Sequence, residues 1–226
     1  MQGAIFDMDG LMFDTEKIYR NVWDHLPEEF GFPACPGLGE AVCGTSGEDL
    51  KRIVREHIPG IDADAFMDAG YARVHDTVLA VQPDEKPGLH EIIGFLKARG
   101  FRLAVASGSP QEIIELNIKR AGLTEAFGAV VSGFCVPRGK PAPDIFLESA
   151  RRIGCDPGAC YVFEDGANGI RAGAAAGCVT VMIPDLTAPD EELRALCAGI
   201  FPGLLEAMRA IEEGRLPGHA TKMNKM

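Results

Sequence analysis

The chain has 226 residues, of which 46% are hydrophobic, and a formal net charge of −11 at pH 7. This length suffices for one large domain, or for one domain with a smaller insertion. The negative charge disfavours binding to nucleic acids and to anionic membrane surfaces. No apolar run of about 18 residues exists, and Asp7 and Asp9 interrupt the amino-terminal segment, so we expect neither a transmembrane helix nor a signal peptide. The seven cysteines form no CxxC pair, which favours reduced thiols in a cytoplasmic protein.

The first predicted element is a short buried strand, residues 4–6, which is followed at once by Asp7 and Asp9. Side chains two residues apart in an extended chain point to the same side, so both carboxylates would face one small volume. Gly10 then permits a sharp turn. Two close carboxylates repel each other unless a cation neutralises them, and Mg²⁺ prefers such ligands together with phosphate oxygens. The segment therefore predicts phosphate chemistry, in which Asp7 attacks phosphorus and Asp9 transfers the proton.

The stretch that follows, residues 15–82, has helical apolar spacing and no strand pattern. Predicted helices run onward from residue 14, over 48–58 and over about 62–81, and Pro27 ends the first of them. An all-helical block directly after the first strand is typical of a separate subdomain. We therefore assign residues 15–82 to a helical domain, and residues 1–14 and 83–214 to the core.

From Pro87 onward, helical and strand patterns alternate, which predicts right-handed crossovers between the strands of a parallel sheet. The predicted strands are residues 101–106, 129–131, 160–163 and 178–183. The predicted helices are residues 88–99, 109–121, 142–153, 169–176, 191–198 and 202–213. Residues 215–226 are polar, and we expect them to form a disordered tail.

Polar segments follow the later strands as well, at the edge where open parallel sheets place ligands. Ser107 and Gly108 offer a hydroxyl and free backbone N–H groups to a phosphate, whereas Ser109 fits an ordinary helix cap. Lys140 would supply the cation that a carboxylate needs when it attacks an anionic phosphate. The alternative for Lys140 is a solvated loop lysine.

A pair of acids, Glu164 and Asp165, closes the strand that reads YVF. These residues add oxygen ligands for the same metal, Asp165 directly and Glu164 either directly or through a water. The alternative is an acidic turn without a ligand. Because the pair follows a strand, as the first two aspartates do, we favour the metal site.

Together these segments resemble, in order, the four motifs of the haloacid dehalogenase superfamily phosphatases, whose first motif reads DxDGxxxDT/SE. Residues 7–16 match that pattern. The resemblance covers essentially the whole chain and implies a Rossmann-like α/β core with an all-helical cap inserted after the first motif. Within the superfamily the chain is similar to the β-phosphoglucomutase-like subgroup, and to phosphatases of small metabolites such as pseudouridine-5'-phosphatase and sugar-phosphate phosphatases.

Residue roles follow from the same resemblance. It implies that Asp7 is the nucleophile and that Asp9 is the acid and base, with its backbone carbonyl on Mg²⁺. It also implies that Ser107 and Lys140 bind the phosphate. The remaining pair, Glu164 and Asp165, would lie at the metal.

One departure concerns the cap loop, residues 44–47, which reads GTSG. In the mutases of the subgroup a GxSR loop places an arginine over the site, and Gly47 stands at that position here. Loss of a charged hydrogen bond to phosphate costs about 1.5–3 kcal/mol, which favours hydrolysis over mutation. We expect Thr45, Ser46 and Gly47 to influence substrate choice, although Lys51, Arg52 or Arg20 could replace the arginine.

These observations predict a monomeric phosphomonoester hydrolase that uses Mg²⁺ and forms an aspartyl phosphate on Asp7. Its substrate would be a small phosphorylated metabolite, either a sugar phosphate or a nucleoside phosphate. One alternative is a β-phosphoglucomutase-type isomerase, which needs a phosphorylated activator and releases no free phosphate. A second is a non-catalytic phosphoryl-binding regulator, against which Asp9 argues because a binder needs no proton-transferring carboxylate.

Overall fold

The computed structural model describes residues 2–42, 47–186 and 188–217. The chain divides into two compact units, one formed by Met1–Phe13 with Glu85–Met226 and the other by Asp14–Asp84. The boundaries predicted from the sequence lie at residues 15 and 82. None of the helices in the described ranges combines the length and the apolar character that a membrane crossing needs.

The described part of the first unit contains a six-stranded sheet in which every neighbouring pair of strands is parallel. The strand order is β3-β2-β1-β4-β5-β6. The strands are β1 (Gly3–Phe6), β2 (Arg102–Ser107), β3 (Ala129–Ser132), β4 (Cys160–Glu164), β5 (Val179–Met182) and β6 (Gly199–Ile200). The predicted parallel sheet is confirmed, but β6 was not predicted because two residues carry no readable pattern.

The central position of β1 explains its continuous apolar sequence. Ile5 pairs in register with Ala104 of β2 and with Val162 of β4, and all three side chains are fully buried. The adjacent pair, Phe6 and Phe163, stacks with ring centroids 4.8 Å apart. A strand that is covered on both faces must be apolar at every position, so the first polar residue after it lies at the sheet edge.

In the described residues of the second unit, helices are the only regular secondary structure. The unit contains α1 (Glu16–His25), α2 (Leu38–Val42), α3 (Gly47–His57) and α4 (Ala63–Ala80). Its core includes Trp23 and Phe66, whose ring centroids lie 5.9 Å apart. The 3₁₀ helix Leu26–Phe30 was not predicted, because Pro27 was interpreted as a break although proline fits the first turn of a helix. Helix α2 was not predicted either.

In the described ranges, six further α-helices belong to the first unit with the sheet. They are α5 (Leu89–Ala98), α6 (Gln111–Arg120), α7 (Asp144–Arg152), α8 (Ala167–Ala175), α9 (Glu191–Leu196) and α10 (Leu204–Glu212). Phe146 of α7 and Ala172 of α8 pack in one buried cluster with Ile5 and Val162. The sheet and its helices therefore form the α/β core that the alternating pattern predicted.

The expected disordered tail is wrong for its first three residues, 215–217. Leu216 is only 3% exposed, and its side chain lies over Gly199 beside Phe201. The Tyr161 hydroxyl donates a hydrogen bond to the carbonyl oxygen of Pro217 at 3.2 Å. The buried side chain of Leu216 and the hydrogen bond from Tyr161 hold this segment in place. Residues 218–226 lie outside the described residues.

Candidate active site

The turn after β1 places two carboxylates at the carboxyl edge of the sheet. The backbone N–H of Asp7 continues the ladder by donating to the carbonyl oxygen of Phe163 at 3.0 Å. Gly10 has φ +81°, and a Cβ there would overlap Oδ2 of Asp165. Glycine is required at this position because φ is positive and because a side chain would collide with Asp165.

Lys140 lies between two buried carboxylates. Its Nζ is 2.5 Å from Oδ1 of Asp7 and 2.6 Å from Oε1 of Glu164, and it also donates to the carbonyl oxygen of Ala106 at 3.1 Å. The lysine side chain is 14% exposed. The ammonium is thus held in place by three acceptors and is not the solvated loop lysine of the alternative interpretation.

Two backbone N–H groups that follow Glu164 fix the position of its carboxylate. Its Oε2 accepts hydrogen bonds from the backbone N–H groups of Asp165 at 3.1 Å and Gly166 at 3.3 Å. A Cβ on Gly169, in the first turn of α8, would overlap the Glu164 carboxylate. The requirement for glycine at residue 169 was not predicted, because it depends on the contact between this helix and the end of a strand.

Three carboxylates form a group that could hold a cation. Ligand oxygens of Asp7, Glu164 and Asp165 all lie within 4.8 Å of one another. Hard oxygen donors of this kind suit Mg²⁺, which commonly binds one or two carboxylates and keeps several waters. The donor set therefore fits the metal that the resemblance implies.

The pKa values of two acids in the site are raised, chiefly by burial and also by like charge. Burial, with the charges of Glu164 and Asp9, raises the pKa of Asp7 to about 8, although Lys140 opposes the rise. Burial, with the charges of Asp7 and Glu164, raises the pKa of Asp165 to about 9. Burial favours neutral Lys140, but the two carboxylates outweigh it and hold the pKa of Lys140 above its usual value. One ammonium thus does not neutralise the group, and a divalent cation would.

Asp9 has a different environment from the other acids. Its Oδ2 accepts hydrogen bonds from the hydroxyls of Ser107 at 2.9 Å and Ser109 at 2.7 Å. Among the described residues, the group of possible metal ligands does not include the Asp9 carboxylate. The predicted role of Asp9 at the metal, through its backbone carbonyl, stays a prediction.

Ser109 was interpreted wrongly from the sequence. Helix α6 begins at Gln111 with Pro110 at its N-cap, and no side chain caps it. The Ser109 hydroxyl instead donates to Asp9, and its backbone N–H donates to Oγ of Ser107 at 3.0 Å. The same two-residue alternation that paired the aspartates could have paired these serines.

The remaining predicted site residues are Gly108 and residues 45–47. Gly108 packs closely against Gly133, since a Cβ on Gly133 would be 3.3 Å from the Gly108 Cα. Phosphate binding by Gly108 stays a prediction. Thr45 and Ser46 lie outside the described residues, and Gly47 is the first residue of α3. Their influence on substrate choice therefore stays a prediction.

A cavity of about 370 Å³ adjoins the turn at Gly10 and Leu11. Lys86 and Asp185 line it and form an ion pair with an Nζ–Oδ1 distance of 2.9 Å. A Cβ on Gly10 would be 3.4 Å from Oδ2 of Asp185. Sequence analysis missed this pair, because the two residues are 99 positions apart and neither belongs to a recognisable motif.

Comparison with known proteins gives consistent matches. A family model described as haloacid dehalogenase-like hydrolase matches residues 1–177. A phosphorylated carbohydrates phosphatase of Thermotoga maritima is 31% identical over 180 residues, which are 78% of this chain and 82% of the relative. A fructose-1-phosphate phosphatase of Escherichia coli is 35% identical over 176 residues, covering 77% and 92% of the two chains.

A solved structure is similar over nearly the full length. It is that of a hydrolase of the same superfamily from Deinococcus radiodurans with bound phosphate and sodium, which is 27% identical with a TM-score of 0.77. The match covers 96% of this chain and 98% of that one.

Proposed function

This chain belongs to the haloacid dehalogenase-like hydrolases, and we propose that it hydrolyses the phosphate monoester of a small metabolite through an aspartyl phosphate on Asp7. The observation that carries the proposal is the contact of one ammonium, Lys140, with two carboxylates, Asp7 and Glu164, at the carboxyl edge of the sheet. Asp165 lies within the same group of oxygens.

Asp7 is the proposed nucleophile. One of its oxygens attacks phosphorus while the bond between phosphorus and the ester oxygen breaks, which gives an aspartyl phosphate and a free alcohol. Lys140, whose Nζ is 2.5 Å from Oδ1 of Asp7, aligns the carboxylate and places positive charge beside the phosphoryl oxygens. Water then attacks phosphorus while the bond between phosphorus and the Asp7 oxygen breaks, which releases inorganic phosphate and regenerates the Asp7 carboxylate.

Asp9 is the proposed acid and base. In its protonated form it donates a proton to the leaving oxygen, and its carboxylate then accepts a proton from the attacking water. The hydroxyls of Ser107 and Ser109 hold the Asp9 carboxylate in one orientation. Either hydroxyl would turn its single proton from Asp9 to a phosphoryl oxygen when the substrate binds.

Mg²⁺ is the proposed cofactor, and Asp7, Glu164 and Asp165 are the residues that would hold it. When bound, it would neutralise these three carboxylates and offset the negative charge of the phosphoryl oxygens. The support for this proposal is the donor set together with the raised pKa values of Asp7 and Asp165.

For the substrate, we propose a sugar phosphate or a nucleoside phosphate. The relatives named above are phosphatases of phosphorylated carbohydrates and of fructose 1-phosphate, which supports the sugar class. Gly47 at the position of the mutase arginine supports hydrolysis over isomerisation. We further propose that the protein is a cytoplasmic monomer. The six cysteines that the structure describes are all unpaired, which supports the proposed compartment.

The test is phosphate release from a panel of sugar, polyol and nucleoside monophosphates in the presence of Mg²⁺, with the Asp7→Asn variant as control. We expect one chemical class to be hydrolysed well above the rest, and no release by the variant. Isomerisation of a hexose phosphate that requires a hexose bisphosphate would instead identify a mutase. Binding without turnover of any monoester would identify a regulator.

A further inference from the structure

A second cavity, of about 450 Å³, lies at the amino ends of β2 and β3. It is bounded by the last turn of α5, the start of β2, the segment before β3 and the end of α7. Because β2 has six residues, this cleft and the active site lie at opposite ends of the sheet, roughly 20 Å apart. A ligand of the cleft would therefore not contact the catalytic residues.

The walls of this cleft are cationic in a protein of net charge −11. Lys97, Arg102 and Arg152 line it, and Glu125 is the one acidic residue among its described lining. In the described part of the chain, no carboxylate oxygen lies within 4.0 Å of the charged groups of Lys97 and Arg102. Arg152 is paired with Glu148 at 2.8 Å. Two cations thus face the cleft without an ion-pair partner there.

Each cation is held in place by a backbone carbonyl. Lys97 Nζ donates to the carbonyl oxygen of Glu125 at 3.0 Å, and Arg102 Nη1 donates to that of Ile153 at 2.8 Å. Arg152 Nη1 donates to the carbonyl oxygen of Val130 at 3.1 Å. These bonds use part of the donor capacity, since a guanidinium has five N–H groups. The remaining donors are pre-oriented, which lowers the entropy cost of binding an oxyanion.

Two aromatic rings complete the walls. Phe101 and Phe127 line the cleft and are half-buried. The Phe101 ring stacks on Tyr161 with ring centroids 5.9 Å apart. The Phe127 ring packs against Phe6 in a T-shaped arrangement with centroids 6.2 Å apart. Both rings are therefore supported from behind and present apolar surface to the cleft. A flat apolar group could lie against such surface.

We propose that this cleft is a second binding site, for a small organic phosphate or carboxylate that carries a flat ring. The cations would bind the oxyanion, and the supported phenylalanine rings would contact the flat group. The volume of the cleft is within the range typical of small-ligand sites, about 300–1,000 Å³. The site is separate from the proposed phosphatase site and does not depend on it.

Calorimetric titration of adenosine monophosphate into the Asp7→Asn protein tests the proposal, with chelator present so that no turnover occurs. The informative variant is Lys97→Met, and the matched control is Lys119→Met. Both lysines are exposed and lie in the last turn of a ten-residue helix of the same unit, so the two variants change the net charge equally. Only Lys97 lines the cleft among the described contacts.

We expect saturable binding that Lys97→Met weakens about tenfold and Lys119→Met leaves unchanged, because a charged hydrogen bond is lost only in the first. Adenosine and inorganic phosphate should each bind more weakly than the nucleotide. Equal affinities of the two lysine variants would overturn the proposal, as would the absence of saturable binding. Binding that survives Lys97→Met but is lost in Lys140→Met would place the nucleotide in the active site and also overturn it. Melting temperatures of all variants identify any loss of folding, and a matching tenfold effect of Arg102→Met would then support the proposal independently.

Discussion

Glu164 occupies the space that a side chain on Gly169 would need, since a Cβ on residue 169 would overlap the glutamate carboxylate. That carboxylate has little freedom to move, because Lys140 Nζ holds its Oε1 at 2.6 Å and two backbone N–H groups hold its Oε2. The absence of a side chain in the first turn of α8 is therefore a condition for the geometry of the carboxylate group.

The Gly169→Ala variant should be destabilised by about 1–3 kcal/mol, the usual cost of overpacking, and should lose most of its phosphate release because Glu164 is displaced. Denaturant unfolding and turnover measure the two effects. Gly166→Ala is the control, since a Cβ there would be 3.9 Å from the nearest Glu164 oxygen. Equal behaviour of the two variants would show that Glu164 can move freely.

Stability of the metal-free protein should fall as pH rises. The pKa values of Asp7 and Asp165 are about 8 and about 9 in the native state, against 3.8 as the ordinary value. Between about pH 4 and pH 9 the native state therefore binds more protons than the unfolded state, and the free energy of unfolding decreases across this window. Urea unfolding in chelator at pH 5, 7 and 8.5 measures this trend.

Mg²⁺ should reverse that trend, because a divalent cation replaces the protons as the neutralising charge. The melting temperature should rise with Mg²⁺ more strongly at pH 8.5 than at pH 5. Chelation should also abolish phosphate release, and release that persists undiminished in chelator would remove the metal from the mechanism. The pKa of Glu148 is lowered from 4.5 to about 2, so its contribution to stability changes mainly at a pH below 5. It therefore does not affect the comparison of pH 5 with pH 8.5.

Ser109→Ala should reduce the rate of phosphate release about tenfold or more, because a hydrogen bond to a charged group contributes about 1.5–3 kcal/mol. Steady-state rates of phosphate release measure this effect. Ser149→Ala is the control, because that serine donates to the carbonyl oxygen of Ile145 within α7, and its rate should be unchanged.

Lys140→Met should abolish measurable phosphate release while the protein still folds at low pH. Removal of the ammonium leaves the buried carboxylates unpaired, which costs about 3–5 kcal/mol when they are ionised. The loss of stability should therefore be larger at pH 8.5 than at pH 5, where the carboxylates bind protons instead. A loss that is equal at both pH values would mean that Lys140 contributes through packing and not through charge.

Much of the fold could be predicted because its signals are local. Strands β1 and β4 were recognised as apolar runs that end in acids, and their positions agree with the structure within one residue. The two-residue strand β6 and the five-residue helix α2 carry too few residues for a period to be recognised. Ser109 was missed for a different reason, since a serine before a helix fits a cap as well as a site residue.

The sequence alone predicted that carboxylates and a serine directly follow apolar strands and that a lysine lies in a later loop, because apolar runs and the residues after them are properties of short segments. Only the tertiary structure decided which atoms meet. Lys140 reaches Asp7 from 133 positions away, and Ser109 reaches Asp9 from 100 positions away. Such contacts depend on the strand order that places β1 between β2 and β4, and no local pattern contains that order.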